Sequence, residues 1–329
     1  MNPFEYQRVE KAEAAVGAIS RSKRAKFLAG GTNLIDLMKI GVEQPEQLID
    51  ISRLPLAAIE SLPGGGVRLG ALARNTDTAN HPLIRKNYPL LSQAILAGAS
   101  PQLRNMATNG GNLLQRTRCY YFMDPAFVEC NKRTPGSGCG ALNGFNRVHA
   151  IFGASAQCIA THPSDMCVAL AALDATIRVR GPKGERTIPI GEFHRLPGDA
   201  PQIDTNLQLN ELVLSIDLPR SPFAHHSHYL KVRDRASYEF ALVSVAAALD
   251  LDGGRIRGAR VALGGVAHKP WRSEPAEKTL TGQTVSIGVF ESAAAAAVRN
   301  AKAYSHNGFK IELAKRSIVR ALAAAGELA

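Results

Sequence analysis

Apolar residues in the first 100 positions follow a helical spacing in some segments and alternate with polar residues in others. The spacing predicts helices over 12–20, 34–40 and 89–98, and strands over 25–28 and 67–71. Gly30-Gly31-Thr32-Asn33 lies between the first strand and the second helix, which together form a strand, turn and helix unit. This alternation indicates a mixed α and β fold.

The pattern changes further along the chain. Periodicity disappears over 116–140, a long irregular stretch of the kind that compact domains keep mainly for function. Strands are predicted over 175–180, 187–190 and 212–218, and Pro219 and Pro222 follow the last of them. We therefore expect one domain over 1–222, with an insert around 116–160.

The remaining residues, 223–329, predict a smaller domain. Strands are expected over 229–233, 242–251 and 255–264, and helices over 290–300 and 311–325. A sheet followed by helices is typical of the α+β class.

Composition agrees with this organisation. The 329 residues are 45% apolar and 20% charged, which is typical of globular protein and sufficient for about two domains. The net charge of +11 favours an anionic ligand or partner. The densest basic stretch, 21–26, contains no aromatic residue, so we interpret it as a solvated face and expect no nucleic acid.

The sequence predicts neither membrane insertion nor a secretory signal of its own. The apolar stretches 241–251 and 293–298 are far shorter than the roughly 20 residues of a membrane-spanning helix. Residues 1–6 contain no basic segment followed by an apolar one. We therefore expect this chain to leave the cytoplasm only with the help of another chain.

Two turns with paired glycines are the first candidate binding elements. Gly30-Gly31-Thr32-Asn33-Leu34 is echoed by Gly110-Gly111-Asn112-Leu113. Such turns at helix starts let the backbone approach an anion closely, and a diphosphate suits that geometry. Neither turn has the spacing of a dinucleotide-binding βαβ unit or of a P-loop, and a purely structural role accounts for each one alone.

The five cysteines are the second candidate. Cys119, Cys130, Cys139, Cys158 and Cys167 include no C-x-x-C pair. Thiolates favour zinc or iron–sulfur clusters, which would anchor the irregular stretch, whereas disulfides or separate buried thiols are the alternatives. Positive charge adjacent to a thiolate-ligated cluster would offset its negative charge, and the basic residues in this region are Arg116, Arg118, Lys132 and Arg133.

Other polar residues allow two interpretations each. His162 and Asp165 follow a strand-like run and are candidates for a pocket edge, but Asp165 also suits the N-cap of a helix that begins at Met166. A strand with alternating basic residues would either line a pocket for an anionic ring or face solvent, and its candidates are Lys231, Arg233, Arg235 and Tyr238. The His225-His226-x-His228 group lacks a fourth metal ligand, and no hydrolase motif is present.

Residues 26–39, KFLAGGTNLIDLMK, together with 108–113, TNGGNL, resemble the FAD-binding subunit of the molybdenum hydroxylase (xanthine dehydrogenase) family. The resemblance runs end to end and includes HPSD at 162–165, KVRDR at 231–235 and GGVAHKPWR at 264–272. It implies a two-subdomain FAD-binding fold of the vanillyl-alcohol-oxidase (PCMH) type, followed by a small α+β domain of the CO dehydrogenase flavoprotein C-terminal type.

Within that family, the cysteine insert resembles the FAD subunits of bacterial periplasmic aldehyde oxidoreductases that carry an additional [4Fe–4S] cluster. The resemblance implies that Cys167 is a buried helical thiol and that the cluster ligands are Cys119, Cys130, Cys139 and Cys158. It also implies a set of FAD-binding residues: Lys26, Phe27, Leu28, Ala29, Gly30, Gly31, Thr32, Asn33, Leu34, Thr108, Gly110, Gly111, Asn112, His162, Asp165 and Lys231.

The implied function is electron transfer within a heterotrimeric, molybdenum-dependent aldehyde oxidoreductase. A large molybdenum-cofactor subunit would oxidise the aldehyde, a small [2Fe–2S] subunit would pass electrons to FAD, and an external acceptor would receive them. No molybdenum site is expected in this chain, so it has no catalytic residue of its own. The complex would be periplasmic through a partner's signal, with a cytoplasmic location as the alternative.

Other functions stay open at this point. One alternative is that the partner acts on xanthine or a hydroxybenzoyl-CoA thioester instead of an aldehyde. Two others are that the chain is a free-standing flavoenzyme or a cluster-bearing scaffold without flavin. Phe309-Lys310 stands where many family members have Tyr-Arg, which puts a subunit contact at that position in doubt.

Overall fold

The computed structural model describes residues 1–328 and begins with a three-stranded parallel sheet. Its elements are β1 (Glu5–Arg8), α1 (Ala12–Ile19), β2 (Ala25–Leu28), α2 (Leu34–Lys39) and β3 (Gln47–Asp50). β3 lies between β1 and β2, and the helices provide the crossovers that parallel strands need. Val16, Ile19 and Ile49 lie in the core of this unit.

A five-stranded antiparallel sheet with the order β4-β5-β8-β6-β7 forms the second unit. Its elements in chain order are β4 (Ile59–Ser61), β5 (Val67–Gly70), α3 (Asn75–Asn80), α4 (Pro82–Asn87), α5 (Pro89–Ala97), α6 (Pro101–Arg104), α7 (Asn109–Leu113), α8 (Tyr120–Met123), α9 (Gly140–Asn143), α10 (Asp165–Ala172), β6 (Thr176–Gly181), β7 (Gly184–Pro189), α11 (Ile190–Phe193) and β8 (Leu212–Leu218). Arg68 on β5 pairs with Asp217 on β8 at 2.7 Å, which ties strands that are 149 residues apart.

A four-stranded antiparallel sheet with the order β12-β11-β10-β9, covered by helices, forms the C-terminal unit. Its elements are β9 (Ser227–Val232), β10 (Val243–Asp252), β11 (Arg255–Gly264), β12 (Trp271–Arg272), α12 (Glu274–Leu280), α13 (Ile287–Val298) and α14 (Phe309–Ala325). Val245 and Ala247 on β10 pack in the core with these helices, whereas Ala246 and Ala248 pack in the core that contains α5 and α10. Both faces of β10 are therefore buried, which explains its nearly continuous apolar sequence.

Helix α10 connects the second and third units. All eight of its residues, Asp165–Ala172, are buried, and it packs against α5, β10 and β11. A helix that is buried on all sides carries apolar residues all round, as this one does after its first residue. Its N-terminus is therefore fixed in place between two sheets.

The predicted mixed α and β fold is confirmed. The strands predicted over 25–28, 212–218 and 255–264 have the observed bounds, whereas the strand predicted over 187–190 begins earlier, at Gly184. The sequence did not predict α12 or the short helices α8 and α9 in the insert around 116–160. Within residues 1–328, no helix combines the length and apolar character needed to cross a bilayer.

Candidate functional site

A cleft of about 360 Å³ lies where all three units meet, and this volume is within the roughly 300–1,000 Å³ of small-molecule sites. Both glycine turns contribute to its walls, together with the N-terminus of α10 and strand β9. The sequence-predicted residues that line it are Gly31, Thr32, Asn33, Gly111, Asn112, Asp165 and Lys231. The structure thus brings segments up to 200 positions apart to one site.

The first glycine turn presents free backbone donors to this cleft. The N–H groups of Gly31, Thr32 and Asn33 donate to no acceptor within residues 1–328. Gly31 has a φ of +73°, which favours glycine, and a Cβ on Gly30 would lie 2.0 Å from the carbonyl oxygen of Met106. Glycine is therefore required at both positions, and the turn is packed directly against the segment that leads to the second turn.

The second glycine turn differs because its N–H groups already have partners. Gly110 N donates to Ala71 O over 2.8 Å, and Gly111 N donates to Thr108 Oγ1 over 3.2 Å. Asn112 N donates to Thr108 O over 2.8 Å. The two turns look alike in sequence, but only the first has backbone donors that are free to bind an anion.

Three buried side-chain donors in the cleft lining lack a hydrogen-bond partner within residues 1–328. They are Asn33 Nδ2, Arg104 Nε and Arg118 Nε. A buried polar group without a partner costs about 1–3 kcal/mol, so such groups identify places where a ligand belongs. Because all three are donors and two are cationic, the ligand that satisfies them is rich in acceptors and anionic.

A buried ion pair lies beside these donors. Lys231 Nζ donates to Asp165 Oδ2 over 2.8 Å and to the carbonyl oxygen of Ala97 over 3.1 Å, and the Lys231 side chain is only 4% exposed. Tyr229 OH donates to Asp165 Oδ1 over 2.7 Å. Burial raises the pKa of Tyr229, and the Asp165 charge adds to this, so the phenol keeps its proton.

Two interpretations of this region are settled by these contacts. The N-cap of α10 is Ser164, whose Oγ accepts from Cys167 N over 3.1 Å, so the alternative of Asp165 as the N-cap is wrong. The predicted basic strand does not face solvent throughout: the side chain of Lys231 on β9 is buried in the cleft lining, whereas Arg235 and Tyr238 lie beyond β9 and are exposed, with Tyr238 at the cleft. Arg233 donates to the carbonyl oxygen of Ala97 over 3.2 Å.

Several predicted FAD-binding residues support the turns without lining the cleft. The Lys26 ammonium lies 3.6 Å from a Glu43 carboxylate oxygen instead. The others in this group are Phe27, Leu28, Ala29, Gly30, Leu34, Thr108 and Gly110.

His162 also lies outside the lining of the cleft. Its ring lies against that of His194, with 4.3 Å between centroids and 47° between the ring planes, and Cys167 lies close to both rings. Burial lowers the pKa of both histidines, to about 4 for His194. One ring nitrogen of each histidine and the Cys167 sulfur lie within 4.8 Å of one another, but the group offers three ligand atoms where a closed structural zinc site has four, and we assign no metal to it.

The four cysteines that the resemblance implies as cluster ligands line one small cavity: Cys119, Cys130, Cys139 and Cys158. No disulfide joins any of them, so the disulfide alternative is wrong for this structure. A hydrogen bond from Cys158 lowers the pKa of Cys139 to about 6, and this bond and burial raise the pKa of Cys158. Four free thiols around one cavity fit the ligand chemistry of an iron–sulfur cluster. Cys167 is a buried thiol on α10, away from this cavity.

Side-chain contacts fix the segment that carries these cysteines, the cysteine loop (residues 116–160). The Arg133 guanidinium donates to the carbonyl oxygens of Tyr121, Phe122, Asp124 and Phe127, the first over 2.7 Å. These bonds hold the backbone around α8 in one conformation.

The positive charges near the cysteines have different partners. Lys132 lines the cavity and pairs with Asp204, whereas Arg116 pairs with Glu43 and Asp204. Arg118 lies in the cleft lining instead. Sequence reasoning missed Asp204 because it lies in an irregular segment without a motif.

The side chain of residue 310 lies in the protein interior. Lys310 is fully buried, and its Nζ donates to the carbonyl oxygens of Val148, His149 and Gly265 over 3.2, 2.8 and 2.5 Å. Lys310, which stands where many family members have Arg, therefore joins α14 to the cysteine loop inside the protein. Phe309, which stands where they have Tyr, lies at the surface.

The fold and the cleft together define a flavin-binding chain, and comparison with protein families agrees. Residues 2–221 match the FAD binding domain in molybdopterin dehydrogenase, and residues 228–325 match the CO dehydrogenase flavoprotein C-terminal domain. The chain belongs to this family of FAD-binding molybdenum hydroxylase subunits, which confirms the resemblance in the sequence.

Within the family, the chain is 52% identical over 329 residues to the aldehyde oxidoreductase FAD-binding subunit of Escherichia coli, covering 99% of both chains. It is 29% identical to the glyceraldehyde dehydrogenase medium chain of Sulfolobus acidocaldarius, covering 86% of this chain and 83% of the relative. The carbon monoxide dehydrogenase of Hydrogenophaga pseudoflava contains a chain with 28% identity and a TM-score of 0.78, with 99% and 98% of the two chains covered.

Proposed function

We propose that this chain is the electron-transfer subunit of a three-subunit, molybdenum-dependent aldehyde oxidoreductase, with FAD and a [4Fe–4S] cluster bound to it. The observation that carries the proposal is the 52% identity to an aldehyde oxidoreductase FAD-binding subunit across the whole chain. The cleft supports it independently, because its unpartnered donors suit an anionic cofactor.

The first glycine turn is the proposed diphosphate site. Its three free N–H groups and Asn33 Nδ2 would donate to phosphate oxygens, and the guanidinium groups of Arg104 and Arg118 would add positive charge. The second turn is internally bonded and so acts as a rigid wall, with Gly111 allowing close approach.

Lys231 and Asp165 form the proposed contact to the rest of the cofactor. FAD accepts electrons singly or in pairs, which is the chemistry that a route from one-electron clusters to an external acceptor requires. The buried Lys231 ammonium places positive charge beside the cofactor, and Asp165 holds that ammonium in position over 2.8 Å. Tyr229 fixes the other oxygen of the carboxylate.

Cys119, Cys130, Cys139 and Cys158 are the proposed ligands of the [4Fe–4S] cluster. Their free thiols around one cavity, inside a loop braced by Arg133, support this assignment. Ligation requires deprotonated sulfur, and the buried Lys132 ammonium at the cavity offsets part of that negative charge.

The proposed partners are a large molybdenum-cofactor subunit, which oxidises the aldehyde, and a small [2Fe–2S] subunit, which passes electrons to this chain. An external acceptor then receives them. We further propose a periplasmic location, reached when the folded complex follows a partner's export signal. Fractionation of cells that produce all three subunits tests this location.

The first experiment measures FAD, iron and acid-labile sulfide in the complex purified without oxygen. Cys130→Ser removes a proposed ligand, and Cys167→Ser is the matched control because Cys167 is buried outside the cysteine cavity. We expect one FAD per chain and a loss of about four iron and four sulfide with Cys130→Ser only. Equal iron in all three proteins would overturn the cluster, and absence of FAD would overturn the electron-transfer role.

Aldehyde-dependent reduction of a soluble acceptor by the complex tests the substrate class. The expected result is turnover with aldehydes that disappears when FAD is removed and returns when FAD is added. Turnover with xanthine in place of aldehydes would contradict the proposed substrate.

A further inference from the structure

One histidine contacts a proposed cluster ligand directly. His149 Nε2 lies 3.1 Å from Cys119 Sγ, and both side chains are buried. The other ring nitrogen, Nδ1, is also buried and has no hydrogen-bond partner within residues 1–328. The contact with the Cys119 sulfur is thus the side-chain hydrogen bond of this imidazole in the described chain.

The ring is held in place from two directions. Tyr120 and Tyr121 of the cysteine loop lie with their ring centroids 6.4 and 6.3 Å from that of His149. The carbonyl oxygen of His149 accepts from Lys310 Nζ over 2.8 Å and from Asn307 Nδ2 over 3.3 Å. The backbone of His149 is therefore anchored, and its ring lies against two aromatic side chains.

The direction of the hydrogen bond follows from the chemistry of the two groups. A cysteine that ligates iron carries no proton, so its sulfur is only an acceptor. A neutral imidazole has one N–H. Because Nε2 lies 3.1 Å from a sulfur that can only accept, the imidazole that makes this contact carries its proton on Nε2.

We infer that His149 is a positioning residue that donates an Nε2–H···Sγ hydrogen bond to Cys119 and thereby raises the reduction potential of the proposed [4Fe–4S] cluster. One-electron reduction breaks no bond and adds one negative charge, which spreads over the iron and sulfur atoms. A hydrogen-bond donor on a ligand sulfur stabilises the more negative state, and such bonds are among the factors that set cluster potentials. This inference rests on the proposed function, because it requires the cluster.

The test is a redox titration of the purified complex without oxygen, followed by electron paramagnetic resonance of the reduced [4Fe–4S] signal. His149→Leu removes the donor, His149→Gln supplies an amide donor in its place, and His306→Leu is the control. His306 is an exposed neighbour whose ring contacts Phe145 and no cysteine. We expect His149→Leu to shift the redox equilibrium about tenfold toward the oxidised cluster, which is about 59 mV for one electron. His149→Gln should restore part of that shift, and His306→Leu should leave the potential unchanged.

The wild-type part of a second measurement does not depend on whether the variants keep their cluster. In the wild-type complex labelled with ¹⁵N-histidine, the reduced cluster should show a weak magnetic coupling to one imidazole nitrogen, transmitted through the hydrogen bond. His149→Gln should abolish this coupling, and His306→Leu should retain it.

The outcomes separate the inference from the function on which it rests. Wild-type protein without iron would remove the cluster, and with it the basis of the inference, before His149 is tested. A wild-type cluster with no ¹⁵N-histidine coupling, or an unchanged potential in His149→Leu, would overturn the role of His149 and leave the cluster assignment standing.

Discussion

Substitution of Gly30 by alanine should weaken the first glycine turn and FAD binding together. The added Cβ would lie 2.0 Å from the carbonyl oxygen of Met106 and 3.3 Å from Cα of Ala107, both of which are backbone atoms. Carbon atoms pack at about 3.5–4.0 Å, so one segment has to move by roughly 1 Å or more. Because Thr108 follows directly, this movement separates the two turns that line the cleft.

The magnitude follows from these contacts. Overpacking of this kind costs about 1–3 kcal/mol, which for a domain of this size lowers the melting temperature by roughly 2–12 °C. Each charge-assisted hydrogen bond that the displaced turn no longer makes to the diphosphate is worth about 1.5–3 kcal/mol, or a roughly 10- to 150-fold loss of FAD affinity.

Thermal denaturation of the apoprotein and titration with FAD, followed by flavin fluorescence, measure the two effects. Gly17→Ala is the matched control, because its Cβ would have no heavy atom within 4 Å and it lies inside α1. That variant should gain about 0.5–1 kcal/mol of stability and bind FAD normally. If Gly30→Ala binds FAD as tightly as the wild type and melts at the same temperature, the packing argument is wrong.

Three further predictions concern single side chains. Asn33→Asp keeps the oxygen that accepts from Arg116 N but replaces an unpartnered donor with a carboxylate, so FAD affinity measured by fluorescence should fall more than about tenfold; unchanged affinity would exclude Asn33 from the diphosphate site. Asp165→Asn leaves the buried Lys231 ammonium without its counter-charge and should lower the free energy of unfolding in urea by about 3–5 kcal/mol, so a loss below about 1 kcal/mol would contradict the ion pair. Burial alone would raise the pKa of Asp204, but the neighbouring cations outweigh it and hold that pKa below its usual range. The stability that comes from this depressed pKa is present above the unfolded pKa of about 3.9 and is lost as the pH falls toward the folded pKa. Asp204→Asn should therefore flatten the acid side of a plot of melting temperature against pH. An unchanged slope would contradict the stabilising role of the ionised Asp204.

The sequence predicted helices and strands well where the spacing of apolar residues follows from burial of one or two faces of the element. Strand β11, Arg255–Gly264, was predicted with its observed bounds because a two-glycine turn precedes it and its alternating residues face a helix layer. Helix α12 was missed because its seven residues, EPAEKTL, contain only two buried positions, Ala276 and Leu280. A pattern so short is too weak to distinguish a helix from a loop.

The candidate site was predictable in its motifs but not in its contacts. The two glycine turns have similar sequences, but the N–H groups of the second turn are bonded to Ala71 and Thr108. Ala71 lies 39 positions before Gly110, so the sequence of the turn does not show this pairing. Likewise, nothing near His149 in the sequence indicates a contact with Cys119. The cysteine loop and its contact with α14 bring the His149 ring next to the Cys119 sulfur. Such pairings depend on tertiary structure, which local patterns do not encode.

The bracing of the cysteine loop by Arg133 has a consequence for how the proposed cluster would be loaded and lost. One guanidinium binds four carbonyl oxygens around α8, so the backbone of this part of the loop is held by contacts that need no iron. For the proposed cluster, we expect oxidants that destroy it to leave this part of the loop in place for reloading, so that oxidative damage here is repairable without refolding. The same independence would let a lineage lose the cysteines one at a time while retaining a stable flavoprotein.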